Sequence, residues 1–345
     1  MPWLVSIVNR PIAAPRAASP TARVRFDQLV ALWTRHVPAT AGDGAGDYED
    51  FVEQAVRLEA ALNTFGADNV WLVVSTEPGI AVNAGTGESR AAAELQHWPR
   101  YGTQPSRRHE DIDMQQARLA ADYYRYEAFV SRAGRRLSVC GFGLEGQGAE
   151  LGDVLAGWAA GGARRAFLKS VQIKQFAFPM DLPAGFGPGD GSRLMYDALD
   201  YGAMYMEGVR ESIIAQEFVT MEYEYRLFVV GNTVATAAGC VEEFTPLDNN
   251  GYPFDNQLRR HRQAKSPVEA EPAIARALTN FSRNAVDALA LEVPALTDYV
   301  IDVALGPTGK PLIVELNSLL NAGLYASQPA RVTKAMATLE RETVR

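Results

Sequence analysis

The chain has 345 residues, of which 47% are hydrophobic and 21% are charged, so it has the composition of a folded protein and is longer than one compact core usually requires. Its formal net charge of −8 argues against non-specific nucleic-acid binding as its main activity. Cys140 and Cys240 form no metal or redox motif, and no apolar run approaches the ~18 residues that span a bilayer. We therefore expect a cytoplasmic protein without a membrane partner and leave its oligomeric state open.

The N-terminal third has the pattern of a small α/β unit, because buried strands alternate with amphipathic helices. Its predicted elements, in chain order, are a strand over Trp3–Val8, helices over Phe26–His36 and Tyr48–Phe65, a strand over Asn69–Ser75, a polar irregular stretch over residues 83–110 and a helix over Asp111–Arg132. None of these elements carries a motif that indicates a particular chemistry.

The pattern changes at about residue 136. The predicted elements that follow are the strand RLSVCGFG, the helix ELGDVLAGWAA, the strand RAFLKS, a helix over Arg193–Glu207, strands over Ser212–Val219 and Glu224–Val230, the strand TVATAAGC, a helix over Ala273–Leu289 and the strands DYVIDVAL and PLIVELN. Gly231 and Asn232 predict a tight antiparallel turn. We predict a mixed α/β (α+β) protein with an N-terminal domain over 1–135 and a second domain over 136–345, which divides into 136–220 and 221–345.

Three oxygen-bearing side chains fall on the last two predicted strands. Glu315 interrupts the apolar run of PLIVELN, and Asn317, two residues later, points to the same face of the sheet. A hairpin closing through GPTGK would bring Asp302 opposite that region. Oxygen ligands of this kind suit Mg²⁺, which also takes oxygens from nucleotide phosphates. A lone strand glutamate is more often a surface residue, but three such groups flanked by apolar residues favour a metal site.

Basic side chains occur on predicted strands, where they could meet phosphates. Lys169 ends RAFLKS, and Lys174 follows five residues later, while Arg226 lies inside EYEYRLFVV. Phosphate binding requires cations held on rigid elements, and an arginine fork can grip an anion with two bonds. Taken alone, a lysine such as Lys169 is more often a surface residue at a strand end, and Arg226 could equally pair with Glu224 or Glu222.

A short apolar segment, AQEFV, ends one of the strands. An extended segment of this type can hydrogen-bond an adenine edge through its backbone. The candidate residues are Gln216, Glu217, Phe218 and Val219.

Taken in order, these pieces resemble the ATP-grasp superfamily over roughly residues 137–330. The resemblance is carried by FLKS with Lys169, by AQEFV, by EYRLFVVGNTVATA with Arg226, and by YVIDVALGPTGKPLIVELNSLLNAGLYA. The arginine with two lysines is most similar to the subgroup named for an Arg and two Lys residues, the Arg-plus-two-Lys clade. Its second lysine would be Lys174 or Lys265. The resemblance implies an ATP-grasp fold in which two α+β subdomains hold the nucleotide.

The resemblance also implies an activity, that of an ADP-forming carboxylate–amine ligase of the EC 6.3 type. ATP would phosphorylate a substrate carboxylate, and an amine would attack the acyl phosphate to form an amide or peptide bond. The partners would be small-molecule or peptide carboxylates and amines, and the cofactors ATP and Mg²⁺, for which Mn²⁺ could substitute. The implied roles are phosphate contact and catalysis for Lys169 and Arg226, a further ATP contact for Lys174, adenine binding for Gln216–Val219, and metal binding for Asp302, Glu315 and Asn317.

Two further segments offer candidate substrate residues. The run RRHR contains Arg259, Arg260 and Arg262, which could grip an acyl phosphate or a carboxylate, although such a run is more often a solvated loop. The segment SLLNAGLYAS after the last strand could line the acceptor site, where Asn321 and Gly323 are the residues to test.

Two alternative interpretations remain open at the level of sequence. The stretch CGFGLEGQG contains G-x-G-x-x-G at Gly141, Gly143 and Gly146, between a strand and a helix, which is the context of a dinucleotide fingerprint. Because the next strand ends in Lys169 where NAD enzymes carry an acidic residue, this motif would suit an NADP-dependent oxidoreductase. The other alternative is a regulatory module that binds ATP without catalysing ligation.

Overall fold

The computed structural model describes residues 2–16, 20–38, 46–95, 97–102, 110–141, 148–170, 177–190, 212–262, 266–319 and 322–343. The chain forms two compact units, and each is built from separate stretches of sequence. Unit 1 comprises Met1–Ala120, Glu222–Leu305 and Val314–Arg345, and unit 2 comprises Ala121–Met221 and Gly306–Ile313. The domain limits at 135/136 and 220/221 stay a prediction.

The elements are numbered in chain order along the described residues. The strands are β1 (Trp3–Ile7), β2 (Val70–Val74), β3 (Ile80–Asn83), β4 (Ser89–Ala91), β5 (Arg100–Gly102), β6 (Leu137–Gly141), β7 (Arg165–Ser170), β8 (Ala177–Asp181), β9 (Ser212–Glu217), β10 (Glu222–Val230), β11 (Thr233–Gly239), β12 (Gln257–Arg259), β13 (Val268–Ala270), β14 (Tyr299–Leu305) and β15 (Pro311–Asn317). The α-helices are α1 (Pro20–His36), α2 (Tyr48–Phe65), α3 (Glu110–Ala121), α4 (Glu127–Val130), α5 (Gly148–Ala160), α6 (Pro272–Glu292) and α7 (Pro329–Thr343). No helix in the described ranges is both long and apolar enough to cross a membrane.

Unit 1 contains a five-stranded sheet with the order β4-β3-β2-β1-β5, in which β1 runs parallel to β2 and β5. The strands β1 and β2 agree with the sequence prediction. The prediction of an irregular stretch over residues 83–110 was wrong in part, since β4 and β5 lie within it. Both strands have only three residues, and β4 is exposed throughout, so neither shows the apolar alternation by which strands are recognised.

Helix α2 has the predicted bounds because clear signals mark both of its ends. The Asp47 side chain accepts a hydrogen bond from the Asp50 N–H at 3.0 Å and caps the N-terminus, and Gly66 follows the C-terminus with φ +81°. The apolar face of α2 is buried in a cluster that also contains Val332 and Ala337 of α7. Helices α2 and α7 therefore share one core, although they lie near opposite ends of the chain.

A second sheet has the order β11-β10-β14-β15, with β10 antiparallel to both β11 and β14. Its inner strands are largely buried, although β10 carries Arg226 and β14 carries Asp302 among their apolar residues. Two short strands, β12 and β13, pair with each other in the polar stretch that follows β11.

Unit 2 is organised around an antiparallel sheet with the order β6-β9-β7-β8. Helix α5 packs on it through Leu151, Leu155 and Trp158, which share a buried cluster with Cys140. Strand β8 was not predicted from the sequence. It lies at the edge of the sheet and contains Pro179, a residue that edge strands tolerate and that weakens the sequence signal for a strand.

The turn between β10 and β11 takes the form that the Gly231-Asn232 pair predicts. Both residues have positive φ, +55° for Gly231 and +58° for Asn232, as a type I′ turn requires. A Cβ atom on Gly231 would lie 2.7 Å from the Leu339 side chain of α7. Glycine is therefore required here both for its conformation and for its size.

The substitution Gly231→Ala should lower the free energy of unfolding by roughly 2–3 kcal/mol, because a left-handed conformation and a steric contact both oppose the methyl group. Gly309→Ala is the matched control, since Gly309 is also a turn residue, with φ +71°, but has open space around it. It should cost only about 1 kcal/mol. Urea denaturation of both variants measures the difference, and equal losses would show that the Leu339 contact contributes nothing.

Candidate functional site

The register between β10 and β14 places Arg226 directly opposite Asp302. The guanidinium donates from Nε to Asp302 Oδ1 at 2.8 Å and from Nη2 to Oδ2 at 2.7 Å. Asp302 is 0% exposed and Arg226 7%. Burial acts to lower the pKa of Arg226, but the Asp302 carboxylate raises it well above its usual value, so the guanidinium stays charged. The result is a buried, bidentate ion pair in the middle of the sheet.

Asn317 links this ion pair to the neighbouring strand. Its Nδ2 donates to Asp302 Oδ2 at 3.2 Å and to Glu315 Oε1 at 2.9 Å. Glu315 and Asn317 therefore share one face of β15, and the hairpin brings Asp302 against that face, which is the arrangement that the strand spacing predicts. The assignment of these three residues to a metal stays a prediction.

The three side chains have the donor chemistry that Mg²⁺ prefers. Two carboxylates and an amide offer hard oxygen atoms on adjacent strands. Asp302 Oδ2 accepts from both Arg226 and Asn317, but Oδ1 accepts, among the described residues, only from Arg226 Nε and keeps a second lone pair, so metal binding does not require the ion pair to break. Asp302, Glu315 and Asn317 therefore fit a magnesium ion. No cluster of three or more His, Cys, Asp or Glu side chains suited to a metal occurs in the part of the chain that the structure describes.

A second layer of charge surrounds Arg226. Glu224, two residues earlier on β10, accepts from Arg262 Nη1 at 3.0 Å, and Arg262 Nη2 donates to the Tyr325 hydroxyl at 3.4 Å. The Tyr325 ring centroid lies 5.0 Å from Arg226 Cζ. Burial, together with the negative charges of Asp302 and Glu315, raises the pKa of Glu224 to about 7, although Arg262 opposes the shift. The alternative in which Arg226 pairs with Glu224 or Glu222 is wrong, because its partner is Asp302.

The arginines of the RRHR run each pair with a glutamate of unit 1. Arg259 Nη1 donates to Glu243 at 3.0 Å, Arg260 Nε lies 3.0 Å from Glu222, and Arg262 contacts Glu224 and Glu242. The positive charge that suggested an anion site is thus already balanced. A substrate carboxylate or acyl phosphate would have to compete with these glutamates, and the role of the run in substrate binding stays a prediction.

The segment after β15 reaches the ion pair through its backbone. The Gly323 carbonyl accepts from Arg226 Nη1 at 3.3 Å, and the Leu324 N–H donates to Glu53 Oε1 of α2 at 2.6 Å. Asn321, the other residue proposed for the acceptor site, lies outside the described residues. Sequence reasoning missed Glu53, since the helical spacing of α2 predicts which of its residues are buried but not what a polar residue among them contacts.

In unit 2, Lys169 lies at the end of β7, as predicted. Its Nζ is 5.7 Å from the centroid of the Tyr123 ring. The strand is the central partner of β8 and β9, so the lysine is carried by a rigid element. The two candidates for the second lysine, Lys174 and Lys265, lie outside the described residues.

The predicted adenine segment of unit 2 is held mainly by arginines. Arg135 Nε donates to Gln216 Oε1 at 2.8 Å. Arg136 donates two hydrogen bonds to the Glu217 carboxylate, of 3.0 and 3.1 Å. The Arg165 guanidinium lies 4.3 Å from the centroid of the Phe218 ring. The bond from Arg136 lowers the pKa of Glu217. These contacts fix the side chains, so that a ligand would meet the segment through its backbone.

Two backbone N–H groups of this segment are already paired. The Glu217 N–H donates to the Arg136 carbonyl and the Phe218 N–H to the Arg165 carbonyl, at 2.9 and 3.2 Å. Within the described ranges, the backbone N–H and carbonyl of Val219 make no hydrogen bond. Val219 therefore provides an adjacent donor and acceptor of the kind that an adenine edge requires.

The topology of unit 2 argues against a dinucleotide-binding interpretation of the glycine-rich stretch. A dinucleotide fingerprint requires neighbouring parallel strands, whereas β6 and β7 are separated by β9 and every strand pair in this sheet is antiparallel. Gly143 and Gly146 lie outside the described residues, and Gly141 ends β6.

Solved structures with a similar chain course include an ATP-grasp protein, a ligase and a synthetase. The RimK domain ATP-grasp protein of Sphaerobacter thermophilus is 12% identical, with a TM-score of 0.45, and covers 97% of this chain and 98% of its own. The D-alanine–D-alanine ligase of Coxiella burnetii is 9% identical, with a TM-score of 0.48 and coverage of 99% and 98%. D-cycloserine synthetase DcsG is 16% identical, with a TM-score of 0.42 and coverage of 97% and 99%. No curated protein matches the sequence.

The family comparison concerns the part of the chain that carries the ion pair. Residues 191–335 match family 2 of the ATP-grasp domains of the Arg-plus-two-Lys clade. The matched range includes Arg226, Asp302, Glu315 and Asn317, together with the adenine segment, and begins after Lys169. The family comparison therefore confirms, for this part of the chain, the resemblance to the Arg-plus-two-Lys clade of ATP-grasp domains that the sequence predicts.

Proposed function

We propose that this chain is an ATP-dependent ligase that activates a carboxylate as an acyl phosphate, releases ADP and joins the carboxylate to an amine. The observation that carries the proposal is the network in which Arg226, Asp302, Asn317 and Glu315 contact one another on adjacent strands of the ATP-grasp domain. It combines a cation suited to phosphate with oxygen ligands suited to the metal that accompanies ATP. The substrates would be a small-molecule or peptide carboxylate and an amine.

The chemistry needs positioning and charge balance more than proton transfer. A carboxylate oxygen attacks the γ-phosphorus of ATP and the bond to ADP breaks; the amine then attacks the acyl carbon, and inorganic phosphate leaves. Lys169 and Arg226 would compensate the negative charge that develops during phosphoryl transfer. Magnesium, held by Asp302, Glu315 and Asn317, would neutralise phosphate oxygens when bound.

Asp302 would have a second role, as the group that orients Arg226. A planar guanidinium held through Nε and Nη2 is fixed in both direction and rotation. Its Nη1 donates to the Gly323 carbonyl at the longer distance of 3.3 Å, so the Nη1 edge of the guanidinium is held less tightly than the edge that faces Asp302. We assign contact with phosphate or acyl phosphate to this edge.

The proposal is tested with the purified chain, ATP and Mg²⁺. Adding mixtures of carboxylates and amines should release ADP and phosphate in equal amounts, and only when a suitable pair is present. Mass spectrometry of the products would identify the amide. Nucleotide binding without ADP formation across a wide acceptor panel would favour the regulatory-module alternative, and tight NADPH binding without ATP binding would favour the oxidoreductase.

The substitution Glu315→Gln should lower magnesium-dependent turnover about 100-fold or more, because it replaces a charged metal ligand with a neutral one. The fold should survive, since Gln can still accept the hydrogen bond from Asn317 Nδ2. The matched control is Glu88→Gln, which removes the charge of an exposed glutamate paired with Arg90. Turnover in the Glu315 variant equal to that of the control would remove Glu315 from the metal site.

The substitution Arg226→Gln should lower the free energy of unfolding by roughly 3–5 kcal/mol, because it leaves the buried Asp302 carboxylate without its counter-ion. Adding Asp302→Asn should restore most of that loss, since no unpaired charge remains. Activity should stay abolished in the double variant. Denaturation and ADP formation are measured on all four members of the cycle. A double variant that regains activity would exclude a chemical role for Arg226.

A further inference from the structure

Two residues of α2 hold the backbone that follows β15. Glu53 Oε1 accepts from the Leu324 N–H at 2.6 Å, and Arg57 Nη2 donates to the Ala322 carbonyl at 3.1 Å. Glu53 and Arg57 are four residues apart on the helix and lie 3.6 Å from each other, so they share one face. One acceptor and one donor thus bind two alternate residues of the same segment.

Glu53 and Arg57 are both largely buried, so their charges require hydrogen-bond partners. Their exposed fractions are only 19% for Glu53 and 11% for Arg57. Burial raises the pKa of Glu53, while Arg57 and the Leu324 N–H act against that shift. A charged pair in so enclosed a place is costly unless its hydrogen bonds are made, and the backbone of Ala322 and Leu324 provides them.

Gly323, which lies between Ala322 and Leu324, contacts Arg226. The Gly323 carbonyl accepts from Arg226 Nη1, and a Cβ atom on Gly323 would lie 3.6 Å from Glu53 Oε1 and 3.8 Å from Arg226 Nη1. The backbone therefore passes between the helix residue and the guanidinium, close to both. Any shift of this backbone changes the position of the carbonyl that Arg226 meets.

The next residue, Tyr325, has φ +47°, a left-handed conformation that a tyrosine rarely adopts. In this conformation its ring faces the Arg226 guanidinium, with 5.0 Å from the centroid to Cζ. Such a conformation persists only where the surroundings over-determine it. The bonds at Ala322 and Leu324 lie immediately before Tyr325, and they supply part of that constraint.

We propose that Glu53 and Arg57 are positioning residues that hold the segment Ala322–Tyr325 against Arg226 and so set the orientation of its guanidinium. Only the predicted effect of these two residues on the reaction rate rests on the proposed function. Neither residue would touch substrate. The N-terminal third, which has no motif of its own, would thereby contribute to catalysis through one face of α2.

The test compares Glu53→Ala with Glu53→Gln, which keeps an oxygen that can accept from the Leu324 N–H. Glu59→Ala is the matched control, because it removes a glutamate of the same helix that pairs with Arg25 and not with the segment. Hydrogen exchange, followed by mass spectrometry without nucleotide, should accelerate about tenfold or more at Leu324 in Glu53→Ala. It should change little in the other two variants.

Steady-state kinetics provide the second readout. Glu53→Ala should lower kcat for ADP formation about tenfold with KM for ATP nearly unchanged, because Arg226 remains present but is less well oriented. Glu53→Gln should keep most of the activity. Arg57→Ala should resemble Glu53→Ala in both readouts, since it removes the other bond to the segment.

Three results would overturn the inference. They are unchanged exchange at Leu324 in Glu53→Ala, equal effects of Glu53→Ala and Glu59→Ala, and faster exchange at Leu324 with unaltered kcat. If the unmodified protein forms no ADP with any acceptor pair, the proposed function fails, and the exchange rates alone then decide whether Glu53 and Arg57 hold the segment.

Discussion

The candidate site of unit 1 depends on one buried ion pair, that between Arg226 and Asp302. The two charges face each other across adjacent strands, with almost no solvent around them. Such a pair contributes little net stability when compared with apolar side chains of similar volume, because desolvation offsets most of the attraction. Its presence in the centre of a sheet is better explained by the fixed orientation that it gives to the Arg226 guanidinium. Around it lie the amide of Asn317 and the ring of Tyr325, each of which contacts one member of the pair.

This arrangement illustrates how a sheet can hold functional groups more precisely than a loop can. The backbone register of β10, β14 and β15 determines which side chains face one another, and side-chain hydrogen bonds then fix their rotation. Among its described residues, the loop that follows β15 contributes the Gly323 carbonyl and the ring of Tyr325 to the group around Arg226. The strands therefore hold the charged side chains, and the loop provides neutral groups that contact Arg226.

The parts of this site that could be predicted are those that depend on local chain geometry. Two residues two apart on a strand must share a face, so Glu315 and Asn317 could be placed together, and the tight hairpin could place Asp302 near them. The partner of Arg226 could not be predicted, because the pairing depends on the register of strands 76 residues apart in sequence. The bond from Leu324 to Glu53 spans 271 residues and leaves no local pattern at all. The short strands β4, β5 and β8 were missed because polarity, length or a proline hides the alternation that marks a strand.

The division of unit 1 into three stretches of sequence has a consequence for the order in which the protein can fold. The core that α2 shares with α7 is incomplete until residues near 337 have been synthesised, yet α2 ends at Phe65. During translation the part of α2 that packs on α7 therefore stays uncovered until most of the chain has been synthesised. A nascent chain of this kind is a natural client for chaperones that shield apolar helices, because its first and last segments complete a single core.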